Sequence, residues 1–204
     1  MALIKLNNRA VKDASAFGSV TSLGSLSLIQ KQTASSSATV DFTSGIDSTY
    51  KEYIFYFVNM HPSSNASFTF QGNAVGGSGF NETMTTTFFY AYHKEDGSDT
   101  SLMYNTGHDQ AQGTGYQTIS ADATGTDNDN CLSGYLHIFN PSSTTFVKHY
   151  ISRMSNTNGG GSTTYMCDCY GAGYFNTTSA IDEISFKFGS GNIDAGDILL
   201  YGVN

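Results

Sequence analysis

Three cysteines are the first residues of this chain to consider as candidates for a metal site or a disulfide. Cys167 and Cys169 flank Asp168, and Cys131 lies earlier in the chain. Residues two apart on a β-strand share a face, so the two neighbouring thiols would point the same way. Zinc sites, however, usually separate paired cysteines by two to four residues and collect four ligands, and a disulfide between positions 167 and 169 would be strained. We therefore predict small, buried, apolar cysteines and no metal.

A run of oxygen-bearing side chains, Asp127-Asn128-Asp129-Asn130, resembles half of a calcium loop. The glycine and glutamate that an EF-hand requires at later positions are missing, and a strand-like segment follows directly. This run is interpreted as a solvated polar loop, with incidental calcium binding left open as the alternative. No cofactor is expected.

The histidines and carboxylates do not form a recognisable catalytic set. The Gly-X-Ser-X-Gly motif of serine hydrolases is absent, so the abundant serines beside the five histidines carry no weight. A glycosidase needs two apposed carboxylates, and nothing marks out such a pair among the four glutamates or the aspartates. We predict that the chain is not an enzyme, and polysaccharide degradation through aspartates of the 96–129 region remains the alternative.

Composition and charge narrow the class of partner. The net charge is −8 and only 13% of the 204 residues are charged, whereas nucleic-acid binding requires clustered Lys and Arg. No apolar run approaches the roughly 20 residues that a membrane-spanning helix needs, and the start of the sequence does not match a signal peptide. We therefore expect neither nucleic acid nor a membrane as partner. Thirteen Tyr and fourteen Phe favour strands over helices.

The segment 131–154 has the clearest strand pattern. Leu132, Leu136 and Ile138 fall on one face of an extended chain, and Tyr135 and His137 fall on the other. A polar turn at 140–143 containing proline then separates this strand from a second one that begins at position 146. Neither face of the hairpin is plainly polar, so both strands are predicted to be central in a sheet.

About ten such segments, with turn signals every 8–15 residues, predict an all-β fold. We expect an antiparallel, jelly-roll-like β-sandwich over residues 25–204. The segment 52–60, EYIFYFVNM, has apolar side chains on both faces. This pattern predicts cover on both sides, either by a second sheet and a loop or by a neighbouring subunit.

Residues 1–24 show no sustained hydrophobic period and are predicted to form an extended N-terminal arm. They carry a small positive charge in an otherwise acidic chain, which suggests docking on an acidic surface, although an ordinary tail is equally compatible. The candidate anchoring residues are Leu3, Ile4, Lys5, Leu6, Arg9 and Lys12.

Long polar segments at 97–130 and 156–162 are the places where a binding surface is expected on loops. Tyr104 and Tyr116 lie in the first of these segments. Because a tyrosine ring offers an apolar face together with a polar hydroxyl, these two residues are candidates for stacking on sugars.

Four segments resemble virion structural proteins of tailed phages that infect marine and cyanobacterial hosts: MALIKLNNRAV, TTTFFYAYH, GYLHIFNPSSTTFVKHYISR and SGNIDAGDILLYGVN. The resemblance implies a protein made in the host cytoplasm and carried on the virion surface, as a capsid decoration (cement) protein or a tail component. It further implies a homotrimer that contacts the major capsid protein or tail proteins. The alternative within this resemblance is a tail fibre or tail-surface domain that binds host glycans. It assigns no functional residue.

Overall fold

The computed structural model describes residues 25–121, 123–159 and 164–204. Over these residues the chain forms thirteen β-strands and one 3-10 turn at Thr106–His108. The predicted N-terminal arm and its candidate anchoring residues lie outside the described residues. The strands are β1 Leu26–Ser37, β2 Val40–Phe42, β3 Glu52–Pro62, β4 Phe68–Ala74, β5 Met84–Lys94, β6 Thr100–Tyr104, β7 Ala111–Gly113, β8 Gln117–Thr118, β9 Leu132–Phe139, β10 Lys148–Asn158, β11 Tyr165–Phe175, β12 Ile181–Phe188 and β13 Ile193–Val203.

The strands form two antiparallel sheets of unequal size. The large sheet has nine strands in the order β1-β13-β3-β9-β10-β11-β5-β6, with β7 also paired to β5. The small sheet has four strands in the order β2-β12-β4-β8 and packs against one face of the large sheet. The predicted all-β, antiparallel sandwich is therefore confirmed, while its jelly-roll-like character stays a prediction.

The core between the sheets is predominantly aromatic. Phe186 of β12 contacts the rings of Phe55 and Phe57 on β3, with ring centroids 5.0 and 5.1 Å apart. Within the small sheet it also contacts the rings of Phe68 on β4 and Phe42 on β2. Because strand side chains alternate, every second residue of β9, of β10 and of β3 as far as Phe57 enters this core, and the intervening residues face away from the small sheet. An irregularity at Val58 and Asn59 then shifts the pattern of β3, so that Met60 is buried.

The central hairpin predicted from the sequence is confirmed as β9 and β10, the fourth and fifth strands across the large sheet. Its turn is closed by the amide of Ser143, which donates to the carbonyl of Asn140 at 3.0 Å. The second strand begins at Lys148 and not, as predicted, at Phe146. The Phe146 amide is held by the Ser143 hydroxyl at 3.0 Å, so it remains part of the turn, and its ring is 70% exposed.

Two further boundaries differ from the sequence pattern. The pattern predicts a first strand over 26–32 that turns at the serines 35–37, but β1 stays paired with β13 as far as Ser37 opposite Ile193. Between 101 and 130 the pattern predicts one short strand, over 116–120, and the structure has three short strands there, β6, β7 and β8. Residues of β6 are all exposed, so this strand carries no alternation of polar and apolar residues that would have revealed it. Among the described residues, no helix is long and apolar enough to cross a membrane.

Candidate functional site

The face of the large sheet that points away from the small sheet is the candidate functional surface, and we call it the outer face. Strand pairing aligns its residues in rows across the sheet. One row, which we call the aromatic row, crosses seven strands and is rich in tyrosine: Leu199, Tyr56, Tyr135, Arg153, Tyr170, Phe89 and Tyr104. The row beside it is mainly apolar: Tyr201, Ile54, His137, Ile151, Ala172 and Thr87.

Exposed large hydrophobic side chains are concentrated on this face. Most of those in the described part of the chain lie here: Leu26, Leu28, Val58, Phe89, Leu102, Tyr104, Ile151 and Met166. Three lie elsewhere: Val75, Met103 and Phe146. Scattered exposed apolar residues are ordinary on a protein surface, but a contiguous apolar patch marks an interaction site.

Arg153 lies near the middle of the outer face and is held from two sides. Its Nε and Nη2 donate to the two carboxylate oxygens of Asp168 at 3.0 and 2.9 Å. Its guanidinium carbon lies 5.0 Å from the ring centroid of Tyr170, whose hydroxyl donates to the same carboxylate at 3.1 Å. The bidentate contact raises the pKa of Arg153 and lowers the pKa of Asp168, so both groups stay charged.

The aromatic rings of the row stand against one another and do not form a flat platform. Phe89 and Tyr170 are stacked, with centroids 5.1 Å apart and planes 5° apart. Arg153 covers the Tyr170 ring as well. Further along the row, Tyr56 meets Tyr135 edge-on at 6.4 Å with planes 64° apart. Ring faces here are therefore used largely for contacts within the sheet.

A hollow of about 320 Å³ lies beside the stacked pair. Its walls are formed by Phe89, Tyr135, Ile151 and Tyr170. Small residues of β11, at positions 171 and 172, lie between these larger side chains and leave the space open. The hollow is largely apolar, with one guanidinium at its margin, so it fits an apolar side chain of a partner.

A second ion pair and a histidine–carboxylate contact also lie on the outer face. Lys31 Nζ lies 2.8 Å from Asp197 Oδ2 on the neighbouring strand. His137 Nε2 lies 3.0 Å from Glu52 Oε2. Burial lowers the pKa of His137, against the opposing pull of the Glu52 carboxylate. The pairs Lys31–Asp197 and Arg153–Asp168 thus neutralise two carboxylates of the face, while Glu52 lies against a histidine whose lowered pKa keeps it uncharged at neutral pH.

The structure does not bring the two predicted sugar-stacking tyrosines together. Tyr104 lies on β6 at the edge of the large sheet, and its hydroxyl donates to Asp109. Tyr116 lies beside the small sheet, where its hydroxyl donates to Ser185 at 2.9 Å and Lys187 Nζ lies 4.1 Å from its ring centroid. The ring of Tyr116 is therefore already occupied by a cation.

The cysteine predictions can be placed in the fold. Cys167 and Cys169 are buried on the core side of β11, and they share a face as predicted. Cys169 Sγ donates to Asn156 Oδ1 at 3.1 Å and accepts from the amide of Ala121 at 3.0 Å. Within the described ranges, no three His, Cys, Asp or Glu side chains are grouped as metal ligands would be. In the 127–130 loop, the Asn130 amide donates to the Asp127 carbonyl at 2.8 Å and closes a turn.

Residue-level predictions from the sequence concentrated on loops, and of the predicted site residues that the structure describes only Tyr104, at the edge of the aromatic row, lies on the outer face. Tyr135, Arg153 and Tyr170 are the central side chains of the candidate surface, and none was predicted as a site residue. A signal was nevertheless present, because the segments 52–60 and 131–154 are apolar on both faces. That pattern predicts a covered surface but cannot say which residues of distant strands become neighbours.

Comparisons with models of known protein families, with curated proteins and with solved structures give no match. The function of the chain must therefore be inferred from its sequence segments and from the geometry of its surfaces. The outer face is the feature of that geometry that points most directly to a partner.

Proposed function

We propose that this chain is a structural protein of a phage virion, most specifically a capsid decoration (cement) protein that attaches to the particle surface and stabilises it. The observation that carries the proposal is the apolar outer face of a sheet whose other face already has a complete core. A module that exposes a second apolar face gains stability when that face is buried in an assembly.

The segments that resemble phage virion proteins give the assembly its proposed identity. In the fold three of the four segments become β5, the β9–β10 hairpin and β13, and the first segment lies outside the described residues. These strands lie side by side or one strand apart in the large sheet and are four of the eight strands in its main order. The segments that carry the resemblance thus supply part of the proposed interaction surface, including Tyr135, Arg153 and Phe89 of the aromatic row.

The proposed attachment point is the segment 1–24, which carries three basic residues against one acidic residue in a chain of net charge −8. Deleting these residues should abolish incorporation into particles and leave the sandwich folded. Incorporation is measured by mixing purified protein with particles that lack it and recovering the particles by sedimentation. A control replaces Lys5, Arg9 and Lys12 by glutamine, which keeps the length and tests the charge alone. Normal incorporation of the protein that lacks residues 1–24 would contradict the proposed role of the segment.

Copy number in purified virions tests the capsid location. Quantitative mass spectrometry should give hundreds of copies per particle for a decoration protein. A few to a few dozen copies would instead place the chain in the tail, and its absence from purified virions would overturn the proposal. The tail alternative includes recognition of host glycans, which a glycan array with the purified protein would reveal. The rings of the aromatic row already contact one another or Arg153, which favours a protein partner over a sugar.

A further inference from the structure

The geometry points to a second copy of this chain as the occupant of the outer face: we infer that copies associate through the aromatic row and the hollow beside it. This inference deepens the proposed role as an assembly module, and it names the partner of a surface that the sequence predictions did not locate. It commits to contacts between copies, while the proposed contact with the particle is made by residues 1–24.

The size of the face matches a stable contact between proteins. Seven strand intervals of about 4.8 Å and three to four outward residues per strand give roughly 34 by 20 Å, or on the order of 700 Å². A standard interface buries about 800 Å² on each partner, so nearly the whole face is needed and is available. Eight of the eleven exposed large hydrophobic residues of the described chain lie on this face, so two copies that meet there bury more of these residues than they would at any other face.

The composition of the face is that of an interface core. Tyrosine, phenylalanine, methionine and arginine are enriched at the centres of protein interfaces, and lysine and glutamate are depleted there. Here Tyr135, Tyr170, Phe89 and Ile151 surround Arg153, whose charge Asp168 already balances. Burying this group against another copy leaves neither charge without a partner, which avoids the cost of an uncompensated buried charge.

Charge and ring orientation also distinguish a second copy of the chain from a polysaccharide as the partner of the outer face. The chain outside residues 1–24 is acidic, so a second acidic surface would be repelled wherever unpaired carboxylates meet. On the outer face the ion pairs Lys31–Asp197 and Arg153–Asp168 remove part of this repulsion. A flat polysaccharide would need exposed ring faces, and those of Phe89 and Tyr170 are turned toward each other.

The experiment uses the full-length chain and measures its mass in solution by light scattering and sedimentation velocity. The expected species contains two copies, because pairing about a twofold axis is the arrangement that buries nearly the whole face on each partner. Ile151→Glu, which places an unpaired charge beside the hollow, should weaken association by at least about thirtyfold, as loss of a hot-spot residue does.

Matched controls come from exposed hydrophobic residues outside the face. Val75 and Phe146 are 59% and 70% exposed, against 42% for Ile151. Val75→Glu and Phe146→Glu add the same charge and should leave the mass unchanged. A monomer at about 100 μM, or an oligomer that only the control substitutions dissociate, would overturn the inference.

A second measurement does not depend on any variant. Hydrogen exchange of the wild-type chain at about 1 μM and about 100 μM should differ, because association is concentration dependent. Added protection at the higher concentration should appear in β10, β11 and β5 and be absent from β12. Added protection confined to the small sheet would contradict the inference. The particle-incorporation assay tests the proposed attachment to the particle separately, since a chain that stays monomeric can still attach through residues 1–24.

Discussion

Phe186 lies at the centre of the aromatic contacts that join the two sheets. It is fully buried, and its ring meets rings of β2, β3 and β4. Phe186→Ala should therefore lower the free energy of unfolding by about 3–5 kcal/mol, because it removes apolar contacts and leaves a cavity that the surrounding strands cannot close. Urea denaturation measures the change. The matched control is Phe146→Ala at the exposed turn, which should stay within about 0.5 kcal/mol of the wild type.

Asp168 provides a prediction about pH. Its hydrogen bonds from Arg153 lower its pKa in the folded state, and its ordinary pKa of about 3.9 returns on unfolding. The ionised form therefore stabilises the fold at pH values above about 3.9, and this contribution is lost as the pH falls through the lowered folded-state pKa.

Asp168→Asn tests this directly. The variant should be less stable than the wild type at neutral pH, and the difference should shrink below about pH 4 as the wild-type carboxylate becomes protonated. Denaturation curves at a series of pH values measure the difference in the free energy of unfolding. Arg153→Gln is the control that removes the charge of the hydrogen-bond partner of Asp168. A difference in stability that is independent of pH would show that the carboxylate acts through shape and not through charge.

At the level of single elements, the β9–β10 hairpin depends on a glycine in its first strand. A Cβ at Gly134 would lie 2.2 Å from the carbonyl oxygen of Arg153 and 2.6 Å from Met154 Sδ on the paired strand. Gly134→Ala should force the two strands apart and destabilise the fold by about 1–3 kcal/mol. The matched control is Gly189→Ala, because a Cβ there would meet its nearest neighbour at 3.8 Å. Thermal denaturation of the two variants compares them, and equal stability would contradict the close approach at Gly134.

The alternation rule explains which elements could be predicted from the sequence. Alternation predicted that β3 and β9 are strands and which of their residues share a face, such as those with Phe55 and Leu136, but both faces are apolar and so it did not specify which face is the core. Where this alternation is missing the prediction failed, as for β6, whose residues are all exposed. The ends of strands depended on side-chain bonds such as that of the Ser143 hydroxyl to the Phe146 amide, which a hydrophobic pattern does not record.

The sequence predicted which strands need cover on both faces, but it did not predict which residues of different strands become neighbours on the candidate surface. Apolar side chains on both faces of β3 and β9 predicted cover on both sides, and the structure supplies a covering sheet on one side. The aromatic row, however, joins Tyr56 to Phe89 through strands that are distant in sequence. Its order depends on the strand order β3-β9-β10-β11-β5, which no local pattern specifies.

For the molecule as a whole, the two faces of the large sheet have different consequences for stability. One face joins the small sheet in a single core, so the sandwich should unfold as one cooperative unit. The other face is apolar and exposed, so its contribution to stability depends on what covers it. Association through the outer face would therefore couple folding to protein concentration.

The melting temperature tests this coupling for the intact chain. Because an associated state is stabilised by mass action, the melting temperature of the wild type should rise when its concentration is raised about a hundredfold. Ile151→Glu should remove this dependence and leave the melting temperature at low concentration close to that of the wild type, since the side chain is 42% exposed and contributes little to the core. Differential scanning calorimetry over the concentration series measures both quantities. A wild-type melting temperature that does not change with concentration would mean that the outer face stays open in the isolated protein, and its cover would then have to come from the particle.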